Sequence, residues 1–462
     1  MAQTTSIELE TSQPATPGNG DSDSPLRSAV HAQEFSLKRV DGGKDAWLFL
    51  AACFVIEALT WGFPFSFGVF QDYYSTHEPF AGSTKIAIIG TCSMGIMYLG
   101  LPFVMLVQRL YPRQTRFSPI IGLFVMCIAL AVSSFSQNTT HLIATQGIFY
   151  AIGGSISYCP CILYMDEWFV KRKGLAYGVM WSGTGLAGFI LPLLFEALLG
   201  RYGFRTTLRI WSLALFILTL PLAYFIKPRL PYSATRHINP LKLGFTFSKT
   251  FLLHQAANIC QALGFFLPGI YLPSYARTAL GASTVRSALT VLLVNVASVF
   301  GCVAMGFLSD RVHVTTCFLI SAVGTTIGTF FLWGFSTNLA VLYIYCIMYG
   351  FFAGSYTSAW PGVMRQVSSA PAVQTQRDDG GARTNTGGSS FDPAMVMGVL
   401  SAGRGIGNIV SGPLSSALLD GMPWKGQAAA GYGTGYGTLI VFTGTTALAG
   451  GATYMFRRVG WM

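Results

Sequence analysis

Charge is what this sequence has least of. Only 10% of its 462 residues are Asp, Glu, Lys or Arg, against 52% hydrophobic residues, whereas a soluble domain carries about 25% charged residues. So few charges cannot cover the surface of a water-soluble chain of this size, which excludes an ordinary soluble enzyme and a charged, disordered or fibrous chain alike. Marks of catalysis are missing too. The chain has no His-Glu-x-x-His, no Gly-Lys-Ser/Thr phosphate loop and no Gly-x-Ser-x-Gly elbow, so neither an enzyme nor an ATP-driven pump is expected. Nine cysteines are present, but Cys53, Cys92, Cys127, Cys159, Cys161, Cys260, Cys302, Cys317 and Cys346 all fall inside apolar segments. They read as small buried hydrophobes, not a disulfide framework. Cys159-Pro160-Cys161 has the wrong spacing for zinc, with no His or further Cys beside it; no metal and no cofactor is expected.

What is there points to lipid. A polytopic membrane protein covers its apolar surface with bilayer instead of water, and each spanning helix takes about 20 apolar residues. The 52 glycines exceed the usual ~7% and let such helices approach closely. The net charge of +11 comes from Lys and Arg scattered in short runs between apolar segments, the pattern of loops on one membrane face. No basic domain with base-stacking aromatics appears, so no nucleic-acid partner is expected.

Residues 1–44 are rich in Ser, Thr, Pro, Gln and Asp with no apolar run, and read as a disordered cytoplasmic tail rather than a signal peptide. Apolar segments follow near 46–70, 86–107, 117–136, 142–164, 175–199 and 207–226. Six more lie near 249–272, 285–308, 315–335, 339–362, 396–418 and 437–456. The reading is an all-α integral membrane protein of twelve transmembrane helices, in halves 45–226 and 249–456. A basic connector, 227–248, joins them, 366–395 is a flexible cytoplasmic loop, and 457–462 is a short cytoplasmic tail. Two parallel halves of six suit alternating access about a midplane site better than a channel.

With both termini cytoplasmic, cytoplasmic segments hold 21 of the 29 Lys and Arg and the opposite loops hold 7, Arg404 lying within a helix. That bias sets the orientation. It places the Asn138-Thr139-Thr140 sequon outside, marking Asn138 as a glycosylation candidate. The expected residence is the plasma membrane, the vacuole being the alternative, and the expected working form is a monomer.

Two charges sit inside apolar helices, where each costs at least ~2.5–3.5 kcal/mol on insertion scales. Glu57 lies in the first helix and Arg404 in the eleventh, with Asn408 one turn on along the same face. Either is an interhelical contact or a cavity charge, Glu57 carrying a proton and Arg404 holding an anionic substrate. Glu196, near a helix end, can snorkel. His254, Asn258 and Gln261 form a polar stripe on the seventh helix, with Gln255 adjacent; it should line a cavity. Asn295 adds a polar group in the eighth. Trp61, Phe63, Pro64, Phe65 and Phe67, with Trp181, read either as an apolar substrate path or as helix packing.

Specific motifs then appear. Asp41-Gly42-Gly43-Lys44-Asp45-Ala46-Trp47 opens the first helix, and Trp168-Phe169-Val170-Lys171-Arg172-Lys173-Gly174-Leu175-Ala176-Tyr177-Gly178 opens the fifth. Both resemble signatures of the monocarboxylate porter family of the major facilitator superfamily. Gly306-Phe307-Leu308-Ser309-Asp310-Arg311 resembles the superfamily's loop motif, while its first-half copy, Arg109-Leu110-Tyr111-Pro112-Arg113, lacks the Asp. Glu57-Ala58-Leu59-Thr60-Trp61-Gly62-Phe63-Pro64 is similar to the fungal branch. The resemblance implies a secondary transporter, yet the three charged positions that serve proton–lactate transport in that family fall here on Phe65, Ser298 and Cys302. Lactate–proton symport is therefore not expected.

The leading expectation is gradient-driven transport of a small organic molecule, with export of a secondary metabolite favoured by the aromatic first helix and the missing cation. The alternative is proton-coupled uptake of a carboxylate-bearing solute, with Arg404 as counter-charge. A different class, a non-transporting sensor with a transporter fold, would be expected to add a long cytoplasmic extension.

Overall fold

The computed structural model describes residues 38–83, 85–230, 240–378 and 391–462. Among them, ten helices are long and apolar enough to cross a membrane. One of these, Lys173–Ala223, has 51 residues, far more than a single span of about 20 needs. It breaks at Gly203, where φ 70 and ψ 173 are non-helical; a left-handed φ of this kind is open to glycine without a Cβ clash. Counting that break and the shorter apolar helix Ser118–Ser133 gives twelve spans among the described residues. They are α1 Lys44–Thr76, α2 Ile86–Leu110, α3 Ser118–Ser133, α4 Thr139–Trp168, α5 173–202 and α6 204–223. The second six are α7 Lys249–Leu280, α8 Thr284–Ser309, α9 Val314–Trp333, α10 Leu339–Ser369, α11 Pro393–Leu419 and α12 Gly437–Arg458. Away from their ends, helices satisfy backbone N–H and C=O groups internally, which lipid requires.

One expected segment differs. Helical backbone runs through α10 as far as Asp378, so 366–378 is helix where a loop is read from composition, and 379–390 lies outside the described residues. In the connector, 231–239 lies outside them, and Gly244–Phe247 forms a 3₁₀ turn. Of the expected N-terminal tail, 1–37 lies outside them too.

The two halves repeat each other in detail. Phe135-Ser136-Gln137-Asn138 before α4 and Phe335-Ser336-Thr337-Asn338 before α10 stand 200 residues apart. Asn138 (φ −145, ψ 163) accepts from His141 N–H, and Asn338 (φ −146, ψ 164) accepts from Val341 N–H. Each is an N-cap satisfying an otherwise orphaned donor.

Core packing tells where the halves join. One buried cluster unites both halves at the end where α1 begins, bringing Phe49, Trp168 and Phe169 together with Phe251, Phe318, Val363 and Met395. The other two clusters lie toward the opposite end, and each belongs to a single half: Phe63, Phe70, Leu130 and Trp211 in one, Leu267, Trp333, Tyr345 and Ile440 in the other. The molecule is thus welded at its basic end, the end carrying the Lys- and Arg-rich loops. Small residues make the weld along two seams. A Cβ on Gly178 of α5 would stand 2.4 Å from the Cys302 carbonyl of α8, and Gly306 faces the Gly174 carbonyl just as closely. On the second seam Gly398 and Gly405 of α11 abut Pro102, Met105 and Tyr98 of α2. Backbones can come this near only where side chains are absent.

Candidate functional site

Between the halves lies a cavity of about 110 Å³. The first half contributes Glu57, Trp61 and Phe65 of α1, Tyr98 of α2, Tyr158 of α4, and Trp181 and Thr184 of α5. The second contributes Phe265, Asn295, Ser298, Cys302, Trp360, Ser401 and Arg404. Glu57 is 3% exposed; its Oε1 accepts from the Thr184 hydroxyl at 2.6 Å, and its buried Oε2 makes no hydrogen bond. Arg404, 2% exposed, donates from Nη1 to Gln261 Oε1 at 2.9 Å. Its guanidinium carbon lies 4.2 Å from the Phe265 ring centre and 5.5 Å from that of Phe266, a cation–π arrangement that partly replaces hydration. Among the described residues no ion pair joins Glu57 to Arg404; the two charges face the cavity from opposite halves, each held by a neutral neighbour.

A chain of rings connects them. Phe266 and Tyr98 stand 6.5 Å apart, Tyr98 and Trp61 4.6 Å, and Trp61 and Tyr158 6.0 Å. Trp181 Nε1 donates to Tyr158 Oη at 2.8 Å and its ring lies 5.9 Å from Trp360. Thr184, one helical turn beyond Trp181, is the residue that bonds Glu57. The wall is therefore aromatic with a cation toward one end and an acid toward the other.

Of the residues singled out from sequence, Glu57, Trp61, Phe65, Trp181, Asn295 and Arg404 line this cavity, whereas Phe63 and Phe67 pack in the first-half core. The α7 stripe does not, and this corrects the expectation. His254 bonds Gln366 of α10 at 3.1 Å, Gln255 donates to Val399 O, and Asn258 donates to Leu400 O. Those bonds fasten α7 to α10 and α11. Gln261 reaches the site only through Arg404, and Asn408 is buried behind it with Nδ2 unpartnered. Glu196 is exposed. Asn138 is exposed and serves as the α4 cap. Tyr98, Tyr158, Thr184 and Trp360 were not singled out; the first two carry a signal, tyrosines placed well inside an apolar segment rather than at its interface.

The three sequence motifs converge at the basic end. Asp41, at φ 58, accepts from the backbone N–H of Val170, Lys171 and Arg172 at 2.8–3.0 Å. Partial burial works to raise its carboxyl, but these donors and the Arg172 charge outweigh it and hold Asp41 below its ordinary 3.8. Gly43, with φ 90, turns the chain into α1, and Trp47 sets its ring 5.9 Å from Phe169. Lys173 pairs with Asp166 at 3.0 Å, and Ala176 is buried. Across the seam Asp310 accepts from Gly174 N–H at 2.7 Å and Leu175 N–H at 2.9 Å, capping α5, and meets Arg365 at 3.4 Å. Arg311 stacks over Phe307 at 4.0 Å. The first-half motif has no acid at the matching place, and the acid appears across the other seam: Asp392 caps α11 through Ala394 N–H and pairs with Arg109 of α2 at 2.9 Å. Both seams are pinned at this end.

A cavity of about 110 Å³ is well below the ~300–1,000 Å³ of sites that enclose drug-sized ligands. A larger solute must enter by parting the halves, and the end left unpinned is the one opposite the weld.

Twelve helices in two repeated halves about a central cavity define a multi-pass membrane transporter. The chain belongs to the Major Facilitator Superfamily, whose family profile matches residues 49–376. It is 27% identical over 431 residues to the MFS-type transporter 1 of an Ophiocordyceps species, covering 91% of this chain and 86% of that one. It is 28% identical over 339 residues to the Fujikurins efflux protein of Gibberella fujikuroi, covering 72% and 71%. The Aspyridones efflux protein apdF of Emericella nidulans is 26% identical, with 72% and 67% covered.

Proposed function

We propose that this transporter is a secondary active exporter of an organic metabolite, driven by a gradient rather than by nucleotide. The observation that carries the reading is the cavity itself: two buried charges, Glu57 and Arg404, face it from opposite halves with neither neutralised by the other. In a low-dielectric site each is costly unless it has work to do. Arg404 supplies a fixed cation for a solute's acid group, and Glu57, with one oxygen unpartnered, supplies a titratable acid for proton coupling. Similarity to proteins named as efflux proteins supports the outward direction. The excess of Lys and Arg on the welded end supports cytoplasmic termini, and export fits residence in the plasma membrane, with an internal membrane such as the vacuole as the alternative. Despite the resemblance to monocarboxylate porters, the loss of that family's charges at Phe65, Ser298 and Cys302 supports a solute other than lactate.

The test compares metabolites inside and outside cells that carry or lack the gene, together with counterflow in proteoliposomes without ATP. Retention of a metabolite on gene loss and ATP-free counterflow are expected. A strict ATP requirement would overturn the class of mechanism; unchanged metabolite distribution would overturn export.

A further inference from the structure

The walls of the cavity are unequal in hydrogen-bond supply. Trp61 and Trp360 both line it, both are buried, and among the described residues the Nε1–H of each has no acceptor. A buried indole N–H normally finds one. Arg404 has five N–H donors, and Gln261 Oε1 accepts from one nitrogen. Against these donors the wall sets few acceptors: among the described residues, Glu57 Oε2 has no partner, and Asn295, whose amide nitrogen donates to Gly188 O, offers its Oδ1. The protein leaves donors unmet at Trp61 and Trp360, though not at Trp181, whose Nε1 donates to Tyr158, so whatever occupies the cavity has to bring acceptors. It also has to offer the aromatic wall a flat apolar body, because rings of this kind hold another ring by offset stacking or edge-to-face contact.

From this surplus we propose a substrate class, an inference that rests on the transport reading above. The cargo is a flat, unsaturated organic anion whose acid group, a carboxylate or an acidic enol, pairs with Arg404 and whose further carbonyl oxygens accept from Trp61 and Trp360. A planar guanidinium suits a two-oxygen acid. A cation would meet Arg404 unpaired, and an amine-bearing body would add donors where donors are already unmet. An aliphatic acid would satisfy the cation but leave the indoles and ring faces without partners.

The experiment measures dissociation constants by titration calorimetry on the full chain in lipid nanodiscs. The probes are 2-naphthoate, 2-naphthamide, (2-naphthyl)methylammonium, cyclohexanecarboxylate and chromone-2-carboxylate, the last adding a ring carbonyl. We expect 2-naphthoate to bind at least about tenfold more tightly than the amide, the ammonium or the cyclohexane acid, as for one charge-assisted bond. Chromone-2-carboxylate should gain a further ~3-fold, as for one neutral hydrogen bond. Trp61→Phe or Trp360→Phe keeps a ring but no N–H, and one of them should erase that gain while leaving 2-naphthoate binding alone. Arg404→Gln should erase the preference for acid over amide. Equal or tighter binding of the amide or the ammonium by the unmodified protein would overturn the class, as would failure of all five probes to bind at about 1 mM. These outcomes need no variant to fold. They are also separable from transport: ammonium binding with normal ATP-free counterflow removes the anion and leaves the exporter.

Discussion

Asp310→Asn should open the basic end of the molecule. Asp310 follows directly on the end of α8 of the second half and accepts from two backbone N–H groups of α5 in the first, at 2.7 and 2.9 Å, with its side chain 10% exposed. Hydrogen bonds to a charged group are worth about 1.5–3 kcal/mol and neutral ones about 0.5–1.5. Asparagine has one acceptor oxygen, so one bond is lost and the other weakened, a gross loss of about 3 kcal/mol by those values. Arg365, the remaining partner, is 39% exposed, so its pairing adds little in water. Allowing for solvent replacing part of the loss, about 2 kcal/mol is removed from the closed state, which is about a 30-fold shift in the ratio of closed to open forms. The assay is hydrogen exchange followed by mass spectrometry on the full chain in nanodiscs. The informative peptides are not at 173–176, where a lost bond alone speeds exchange, but on the other seam, around 96–109 of α2 and 392–400 of α11. If the two seams open as one rigid movement, exchange rises there as well. A rise confined to 173–176 would refute the reasoning and leave Asp310 as a local cap.

Three further expectations follow from the same geometry. Gly178→Val places a branched side chain where a Cβ already stands 2.4 Å from Cys302 O, and overpacking of this kind costs about 1–3 kcal/mol; thermal unfolding in nanodiscs should fall, while Gly200→Val, at a position with open space, serves as control. Asn138→Ala and Asn338→Ala each remove a cap worth about 1 kcal/mol and should lower the unfolding temperature by similar amounts, and an endoglycosidase shift absent in Asn138→Gln alone would show that the capping residue also carries a glycan. Asp41 has a lowered pKa in the folded chain, so its stabilisation is full above the unfolded value of about 3.8 and is lost as pH falls through the lower folded value; between pH 5 and pH 3 the native chain should lose stability that Asp41→Asn, already lacking it, does not lose.

The spans and their number were legible because lipid imposes one rule on sequence, a long apolar run for every crossing. The α5–α6 junction shows how far the rule reaches: the apolar segments were separable in sequence, while the single residue at which the backbone turns, Gly203, shows itself only in its dihedral angles. Glu57 and Arg404 were legible for the complementary reason, since a charge in such a run is improbable unless something faces it. The α7 stripe failed because helical spacing tells which residues share a face, not whether that face meets a cavity or a neighbouring helix. His254 and Asn258 meet neighbours. The aromatic wall was only half legible, because Tyr98, Tyr158 and Trp360 come from three helices far apart in sequence, and nothing local marks them as facing one another. The motifs were legible as strings but not as a mechanism. That Asp41 caps the segment beginning the fifth-helix motif, and that this helix is in turn capped by Asp310, is a contact order that no spacing encodes.

The departures from the monocarboxylate pattern acquire a physical meaning from the same cavity. Phe65, Ser298 and Cys302 all stand on its wall, so the place where that family's charges would act is retained while the charges are gone. The acid and the cation now present, Glu57 and Arg404, are held apart by Thr184 and Gln261 and separated by rings. For lactate this exchange is unfavourable. It must shed the hydration of its carboxylate, and its one methyl returns only about 1 kcal/mol of apolar burial. A two-ring body burying about 200 Å² returns about 5 kcal/mol at 25 cal/mol per Å², enough to offset what the acid group loses. Labelled lactate and pyruvate should therefore show no saturable, pH-stimulated uptake at pH 5 or pH 7 in cells lacking their own porters. Saturable uptake that is faster at pH 5 and abolished by Glu57→Gln would mean that Glu57 and Arg404 perform the family's proton–lactate chemistry from new positions, and that the aromatic wall does not set the size of the cargo.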